Sequence, residues 1–381
     1  MTGAEVVHGP RAWPGASVAL TVLIAGGGTG GHLYPGIAVA RELLSREPGA
    51  RVVFAGTAAG IESRVVPREG FELELIRSAG LKGKSVASVL RGALLLPLSA
   101  LDAWRVLSTC RPSIVVGVGG YSSGPLVALA AARGIPTLLM EQNAMPGVTN
   151  RLLARLVDAA AVTYEESRSF FGDRAFVAGN PVRPEFFGGG SRGEPQDQAG
   201  PVRVLVFGGS QGAHAINVAM TEAAPRLAAA APPLAITHQT GERDLAAVRE
   251  AYGRAGFDAR VEPFLYAMDR EMAAADLVVS RAGATTLAEL TAAGRPSLLV
   301  PLPTATDDHQ PKNALALVSA GAARMVEQRD LTGDRMADEI QALAADAGQR
   351  ARMAGAARGM ARPEAARLIV DRVLALAAGR T

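Results

Sequence analysis

One arrangement occurs twice in this chain and restricts its fold more than any other feature. A short apolar run ends in clustered glycines, and a helical pattern follows. Val18–Ala25 leads into Gly26-Gly27-Gly28-Thr29-Gly30-Gly31, and an amphipathic pattern continues from about Pro35 to Ser45, with the proline near its first turn. Val202–Phe207 leads into Gly208-Gly209-Ser210-Gln211-Gly212 and then a helical stretch to about Ala230. Each start is followed by alternating apolar runs and helical segments. This order predicts an α/β protein with two doubly wound parallel sheets. A chain of 381 residues accommodates two such domains.

Strands are expected near Val52–Ala55, Leu73–Ile76, Ile114–Val118, Thr137–Met140 and Ala159–Val162 in the first half. In the second they are expected near Ala235–His238, Arg260–Pro263, Leu277–Ser280, Ser297–Val300 and Ala323–Val326. Residues 1–17 form an extension, 18–185 the first domain and 202–362 the second. Between the domains, 186–201 is glycine-rich with two prolines and mixed charges, a linker composition. Periodicity leaves the last helical pattern, Pro363–Ala378, free to close the second domain or to cross back to the first.

Bulk properties remove several function classes. Only 4% of residues are aromatic and the formal net charge is +3. With no aromatic cluster and no long basic run, nothing suggests a nucleic-acid partner. The lone Cys110 cannot form an internal disulfide or a cysteine-rich metal site. No stretch reaches 18 consecutive apolar residues, and 1–17 lacks a signal-peptide core, so a soluble or peripheral protein is expected.

Gly26-x-Gly28-x-x-Gly31 matches the dinucleotide fingerprint, whose glycines let backbone N–H groups and a helix N-terminus approach a diphosphate. An NAD site also needs a carboxylate at the end of the second strand, where this chain has Phe54-Ala55-Gly56-Thr57. Gly80–Ser85 is not a P-loop, because Ser78 stands where its first glycine belongs. A third glycine loop spans Gly117–Pro125. Turn tightening would explain one such loop; three suggest a donor and an acceptor that both carry phosphate.

Seven motifs then occur in order: Gly27–His32 with Pro35, Gly119–Tyr121 with Ser123-Gly124-Pro125, Glu141-Gln142-Asn143, Gly179-Asn180-Pro181-Val182-Arg183, Gly208–Ala213, Ser280–Glu289, and His309-Gln310 before Asn313-Ala314. From Val18 to Ala322 the chain resembles the MurG family of N-acetylglucosaminyltransferases, which convert lipid I to lipid II in peptidoglycan synthesis. The resemblance implies a GT-B architecture, two Rossmann-like domains facing a cleft, with the final helix returning to the first. It implies inverting transfer of GlcNAc from UDP-GlcNAc to the MurNAc C4 hydroxyl of undecaprenyl-diphospho-MurNAc-pentapeptide, at the cytoplasmic face of a bacterial membrane. Other cell-wall synthesis proteins are implied partners, and no cofactor is. The runner-up is another GT-B transferase that glycosylates a glycolipid; an idle nucleotide-sugar-binding scaffold would lack His32 and Glu141, and both are present.

The resemblance assigns UDP-GlcNAc to Thr29, Gly30, Gly31, Asn143, Arg183, Ser210, Leu265, Ala284, Thr285, Thr286, Leu287, Ala288, Glu289 and Gln310, and the acceptor diphosphate to Gly28, Gly119, Gly120 and Tyr121. Ser210, at a strand–helix junction, suits the diphosphate. Arg183 suits the charge of departing UDP, and Glu289 suits ribose hydroxyls. Gln310 corresponds to the family's sugar-reading glutamine, whereas His309 departs from the Gln-Gln pair of some members. The backbone of Leu265 matches a uracil contact. Inverting transfer also needs a base for the acceptor hydroxyl, and His32 and Glu141 are the two candidates. His32 alternatively binds the lipid diphosphate as imidazolium. No Asp-x-Asp pair calls for a metal.

Leu81–Leu107 carries Leu90, Leu94, Leu95, Leu96, Leu98, Leu101 and Trp104 among Lys82, Lys84, Arg91 and Arg105. The pattern suits either an anionic phospholipid surface or a core helix of the first domain.

Overall fold

The computed structural model describes residues 20–78, 86–192, 200–209, 212–303 and 309–379, with the side chains of 86–96 and 189–192 outside that description. The first sheet contains β1 (Thr21–Gly26), β2 (Arg51–Gly56), β3 (Glu72–Leu75), β4 (Ile114–Gly119), β5 (Thr137–Glu141), β6 (Ala159–Val162) and β7 (Ala175–Val177). Its helices are α1 (Gly30–Arg46), α2 (Glu62–Arg68), α3 (Val86–Cys110), α4 (Ser123–Ala132) and α5 (Val148–Leu153). The second sheet contains β8 (Val202–Phe207), β9 (Leu234–Gln239), β10 (Arg260–Glu262), β11 (Leu277–Ser280), β12 (Ser297–Leu299) and β13 (Ala323–Met325). Around it lie α6 (His214–Ala228), α7 (Leu245–Arg254), α8 (Met268–Ala274), α9 (Ala284–Ala293), α10 (His309–Ser319), α11 (Gly333–Ala345) and α12 (Ala347–Met360), and the chain ends in α13 (Ala365–Ala378).

Strand orders are β3-β2-β1-β4-β5-β6-β7 and β10-β9-β8-β11-β12-β13, parallel throughout. In each sheet the order reverses beside the first strand, and a crevice opens at the carboxyl ends there. The first crevice lies between the loops after β1 and β4, the second between those after β8 and β11. All the glycine loops therefore reach switch points. At the first, a Cβ on Gly26 would stand 2.3 Å from the Gly119 carbonyl oxygen, so only glycine lets the two loops touch.

Central strands are buried on both faces, which is why they read as continuous apolar runs. Val22, Ile24 and Val116 pack with Ile37 and Leu43 of α1, while Leu23, Val53 and Val115 pack with Val106 and Leu107 of α3. Ile369, Val370 and Val373 of α13 join the α1 side, so the last helix covers the first sheet.

Three details differ from the sequence expectation. α1 begins at Gly30, which places Pro35 inside the helix. β7, three residues long, has no counterpart among the expected strands. Phe186, at the start of the expected linker, is 1% exposed within the second core, so the tether is shorter than its composition suggests. The 1–17 extension lies outside the described residues.

Candidate active site between two switch points

On the first wall, His32 sits in the opening turn of α1 with its ring against Gly119, where a Cβ would come within 2.9 Å of Nδ1. Gln142 fixes the ring. Its Nε2 donates to the Val118 carbonyl at 3.1 Å, so its Oε1 faces His32 Nδ1 at 3.2 Å and accepts that proton. Neutral His32 then keeps an unprotonated Nε2. Burial, with His309 adding to it, outweighs the opposing pull of Glu141 and Gln142 and lowers the His32 pKa below its usual value.

Glu141, the other candidate base, is 3% exposed and occupied. One carboxylate oxygen accepts from the Asn143 backbone at 2.9 Å and from Asn143 Nδ2 at 3.2 Å. The other accepts from Gly147 N at 3.0 Å and Asn150 Nδ2 at 2.9 Å. Four donors on two oxygens make it the organiser of the loop after β5.

Glu62 carried no signal in the sequence and is fully buried. Its Oε2 accepts the Gly28 N–H at 2.7 Å, and its Oε1 accepts the Thr57 N–H at 2.7 Å. The Gly28 N–H is therefore taken by protein. Thr29, at the N-cap of α1, is exposed and makes no side-chain cap bond. Gly119 and Gly120 line the same opening, and Tyr121 is 51% exposed at its rim.

Arg183 lies between the walls. Its guanidinium carbon is 4.8 Å from the Tyr34 ring centre and 5.1 Å from that of Phe186. Its Nε is buried with no hydrogen-bond acceptor among the described residues. Two aromatic faces fix the plane of the fork.

On the second wall, Thr285 and Glu289 occupy one face of α9, both buried. Desolvation pushes the Glu289 carboxyl up to about 7, against the pull of Arg183 and helped by Asp269. At 9% exposure Glu289 is not a solvated helix-face carboxylate. Ala284, Thr286 and Ala288 remain partly open, whereas the Leu287 and Leu265 side chains are core, leaving their backbones for contact. Gln310 Oε1 accepts the Leu302 N–H at 2.9 Å. In the loop after β8, a Cβ on Gly212 would lie 1.9 Å from the Thr240 carbonyl oxygen, and Gln239 Nε2 holds the Gly209 carbonyl at 2.8 Å. Ser210 falls outside the described residues.

The walls are joined directly. Asn313, fully buried on α10, donates to Asn143 Oδ1 at 3.3 Å and accepts the Ala144 N–H at 3.1 Å. Gln142, Tyr34 and Asn313 all lie inside or beside the seven motifs, but nothing in a linear sequence shows that they pair with His32, Arg183 and Asn143.

Two Rossmann-like domains with facing switch points, a guanidinium between them and a buried carboxyl on the second have the architecture of a GT-B glycosyltransferase. Residues 22–162 match the glycosyltransferase family 28 N-terminal domain and residues 203–369 its C-terminal domain. The chain belongs to glycosyltransferase family 28 and, within it, to the MurG family. It is 50% identical over 353 residues to the UDP-N-acetylglucosamine--N-acetylmuramyl-(pentapeptide) pyrophosphoryl-undecaprenol N-acetylglucosamine transferase of Anaeromyxobacter sp. (strain K), covering 92% of each chain. The Myxococcus xanthus protein of the same name is 48% identical, again over 92% of each. The crystal structure of Acinetobacter baumannii MurG superposes with a TM-score of 0.73 at 30% identity, covering 93% of this chain and 99% of that one. A Neisseria meningitidis UDP-GlcNAc 2-epimerase bound to UDP-GlcNAc shares the fold, with a TM-score of 0.65 at 16% identity over 93% of this chain and 99% of that one. The dinucleotide alternative has no support left.

Proposed function

We propose that this protein transfers GlcNAc from UDP-GlcNAc to the MurNAc C4 hydroxyl of lipid I, with inversion, releasing lipid II and UDP. One observation carries the chemistry. His32, with Nδ1 held by Gln142, stands in the opening turn of α1, and the Arg183 guanidinium lies over Tyr34 of the same turn region. His32 takes the acceptor proton while Arg183 and the N-termini of the second sheet's helices stabilise the departing diphosphate. Glu141 positions the loop that carries Gln142. Residues 18–185, with the returning helix 363–378, present the acceptor, and 202–362 hold the donor. Incubation with labelled UDP-GlcNAc and a lipid I analogue should yield a lipid-linked disaccharide. Folded protein that binds UDP-GlcNAc yet forms none refutes this reading, and transfer to a different glycolipid supports the runner-up.

Donor affinity should depend on pH through Glu289. Its ionised form accepts two ribose hydroxyls, and its carboxyl titrates near 7 in the free protein. Binding favours the ionised form, so affinity rises as pH increases from 6 to 8 and levels off above. UDP-GlcNAc, whose diphosphate does not titrate there, is the right probe. Calorimetry should show that Glu289→Ala weakens binding by about 1–3 kcal/mol and flattens this slope. A slope unchanged by the substitution would remove Glu289 from the ribose site.

The acceptor is lipid-anchored, and no described helix is long and apolar enough to cross a membrane. α3 has two faces. Ala103, Val106 and Leu107 are core, whereas Leu101 is 63% and Trp104 55% exposed, with Leu98 and Leu75 nearby and Arg105 alongside. On the same helix Asp102 holds Arg77 with two bonds of 2.8 Å. The core and surface readings of this segment thus each describe one face. Lys82 and Lys84 lie outside the described residues, as do the side chains of Leu90, Arg91, Leu94, Leu95 and Leu96. We assign the outer face to docking on the anionic cytoplasmic leaflet. Leu101→Ala with Trp104→Ala should reduce binding to anionic vesicles and turnover of membrane-embedded acceptor more than turnover of a short-chain soluble acceptor. Equal losses on the two acceptors would move docking elsewhere.

A further inference from the structure

α1 starts at Gly30 and carries Pro35 as its sixth residue. An ordinary residue there would donate its N–H to the carbonyl four positions back, which is Gly31; proline has no N–H to give. The Gly31 carbonyl is therefore left without its helical partner, and the other domain supplies one. Thr285, on the first turn of α9, donates its hydroxyl to Gly31 O at 2.7 Å across a sequence separation of 254 residues. The same hydroxyl oxygen accepts from Asn180 Nδ2 at 3.2 Å, and Asn180 is buried at the junction between the domains. One proton given and one accepted fix the rotamer of a side chain that is 7% exposed. The Thr285 hydroxyl is thus committed to protein, not to donor, and only its backbone remains for UDP-GlcNAc. The two ends of this bond are adjacent to chemistry. Gly31 immediately precedes His32, and Glu289 lies one turn beyond Thr285 on α9.

We propose that Pro35 and Thr285 together form a tie between the domains, in which proline exposes a helix carbonyl so that threonine can set the distance between His32 and the bound donor. Thr285 is a positioning residue in this scheme, acting through the turn that carries His32, and the proposal rests on His32 as the base. Pro35 is then more than a helix-start signal. It creates an unpaired acceptor inside α1 that would weaken an isolated helix and is satisfied only when the walls meet.

Thr285→Val keeps the shape and removes the proton. It should lower kcat with the lipid acceptor about fivefold to tenfold, the size of one hydrogen bond, with little change in the Kd for UDP-GlcNAc. Thr285→Ser should restore most of the rate. Pro35→Ala supplies a competing N–H within α1 and should lower kcat in the same direction. The double variant Pro35→Ala/Thr285→Val should be no slower than the slower single variant, because both changes remove one bond. Wild-type kcat in Thr285→Val, no rescue by serine, or losses that multiply in the double variant would overturn the tie. If Pro35→Ala does not fold, the valine and serine pair decides. Wild-type protein that binds UDP-GlcNAc but forms no disaccharide would instead overturn the parent reading.

Discussion

Replacing His32 by alanine is expected to lower kcat for lipid I by about 10²–10⁴, the usual contribution of a positioned general base. UDP-GlcNAc affinity should stay close to wild type, since the ring faces Gly119 and Gln142 on the acceptor wall. The pH dependence adds an independent check. A base must be deprotonated, and burial lowers the His32 pKa from 6.5. The acid limb of kcat/KM should therefore fall below pH 6.5, and activity should persist at pH values where a solvated histidine would already be charged. Gln142→Ala should shift that limb, because it frees Nδ1 and loses the tautomer that leaves Nε2 open. A His32→Ala enzyme with wild-type kcat would return the role to Glu141. The occupied carboxylate of Glu141 argues against that outcome, since four hydrogen bonds would have to rearrange before it could accept a proton.

The second large effect is expected at Arg183. Its alanine variant should lose about 10²–10³ in kcat, comparable to removing a preorganised donor aimed at developing charge. Arg183→Lys is the sharper experiment. Lysine keeps the charge but cannot lie flat between Tyr34 and Phe186 or present a planar fork. The lysine variant should therefore recover only a small part of the rate, with single-turnover measurements placing the loss in glycosyl transfer. A lysine enzyme with wild-type kcat would show that bulk positive charge suffices and that the aromatic sandwich has no catalytic consequence.

Much of this protein was legible in its linear order. Two strand–glycine–helix starts require two parallel sheets, because each glycine cluster must end a buried strand and open a helix. His32, Arg183, Glu289 and Gln310 were singled out as well, through the ordered motifs that carry the family resemblance. Other features were silent. Glu62 looks like any helix-start glutamate, and its role depends on Gly27, Gly56 and Gly60 leaving room around it; each would put a Cβ within 2.6 Å of its side chain. Ala175–Val177 is recognisable as a strand only from its parallel pairing with β6.

What the sequence determined by itself is the local grammar: which runs are strands, where the glycines permit close approach, and which side chains have the chemistry for donor and acceptor. What only the tertiary structure decided is which of those side chains are already spoken for. His32 and Glu141 were the two candidate bases in the sequence; in the fold both oxygens of Glu141 carry hydrogen bonds, while His32 Nδ1 pairs with Gln142. The Gly28 N–H belongs to Glu62, the Gln310 carbonyl to Leu302 and the Thr285 hydroxyl to Gly31. The physical reason is that a buried polar atom must find a partner in space, whether eight positions away as for Gln310, 34 as for Gly28, or 254 and across the domain boundary as for Thr285. Composition and periodicity record neighbours along the chain; hydrogen-bond satisfaction is settled among neighbours in space.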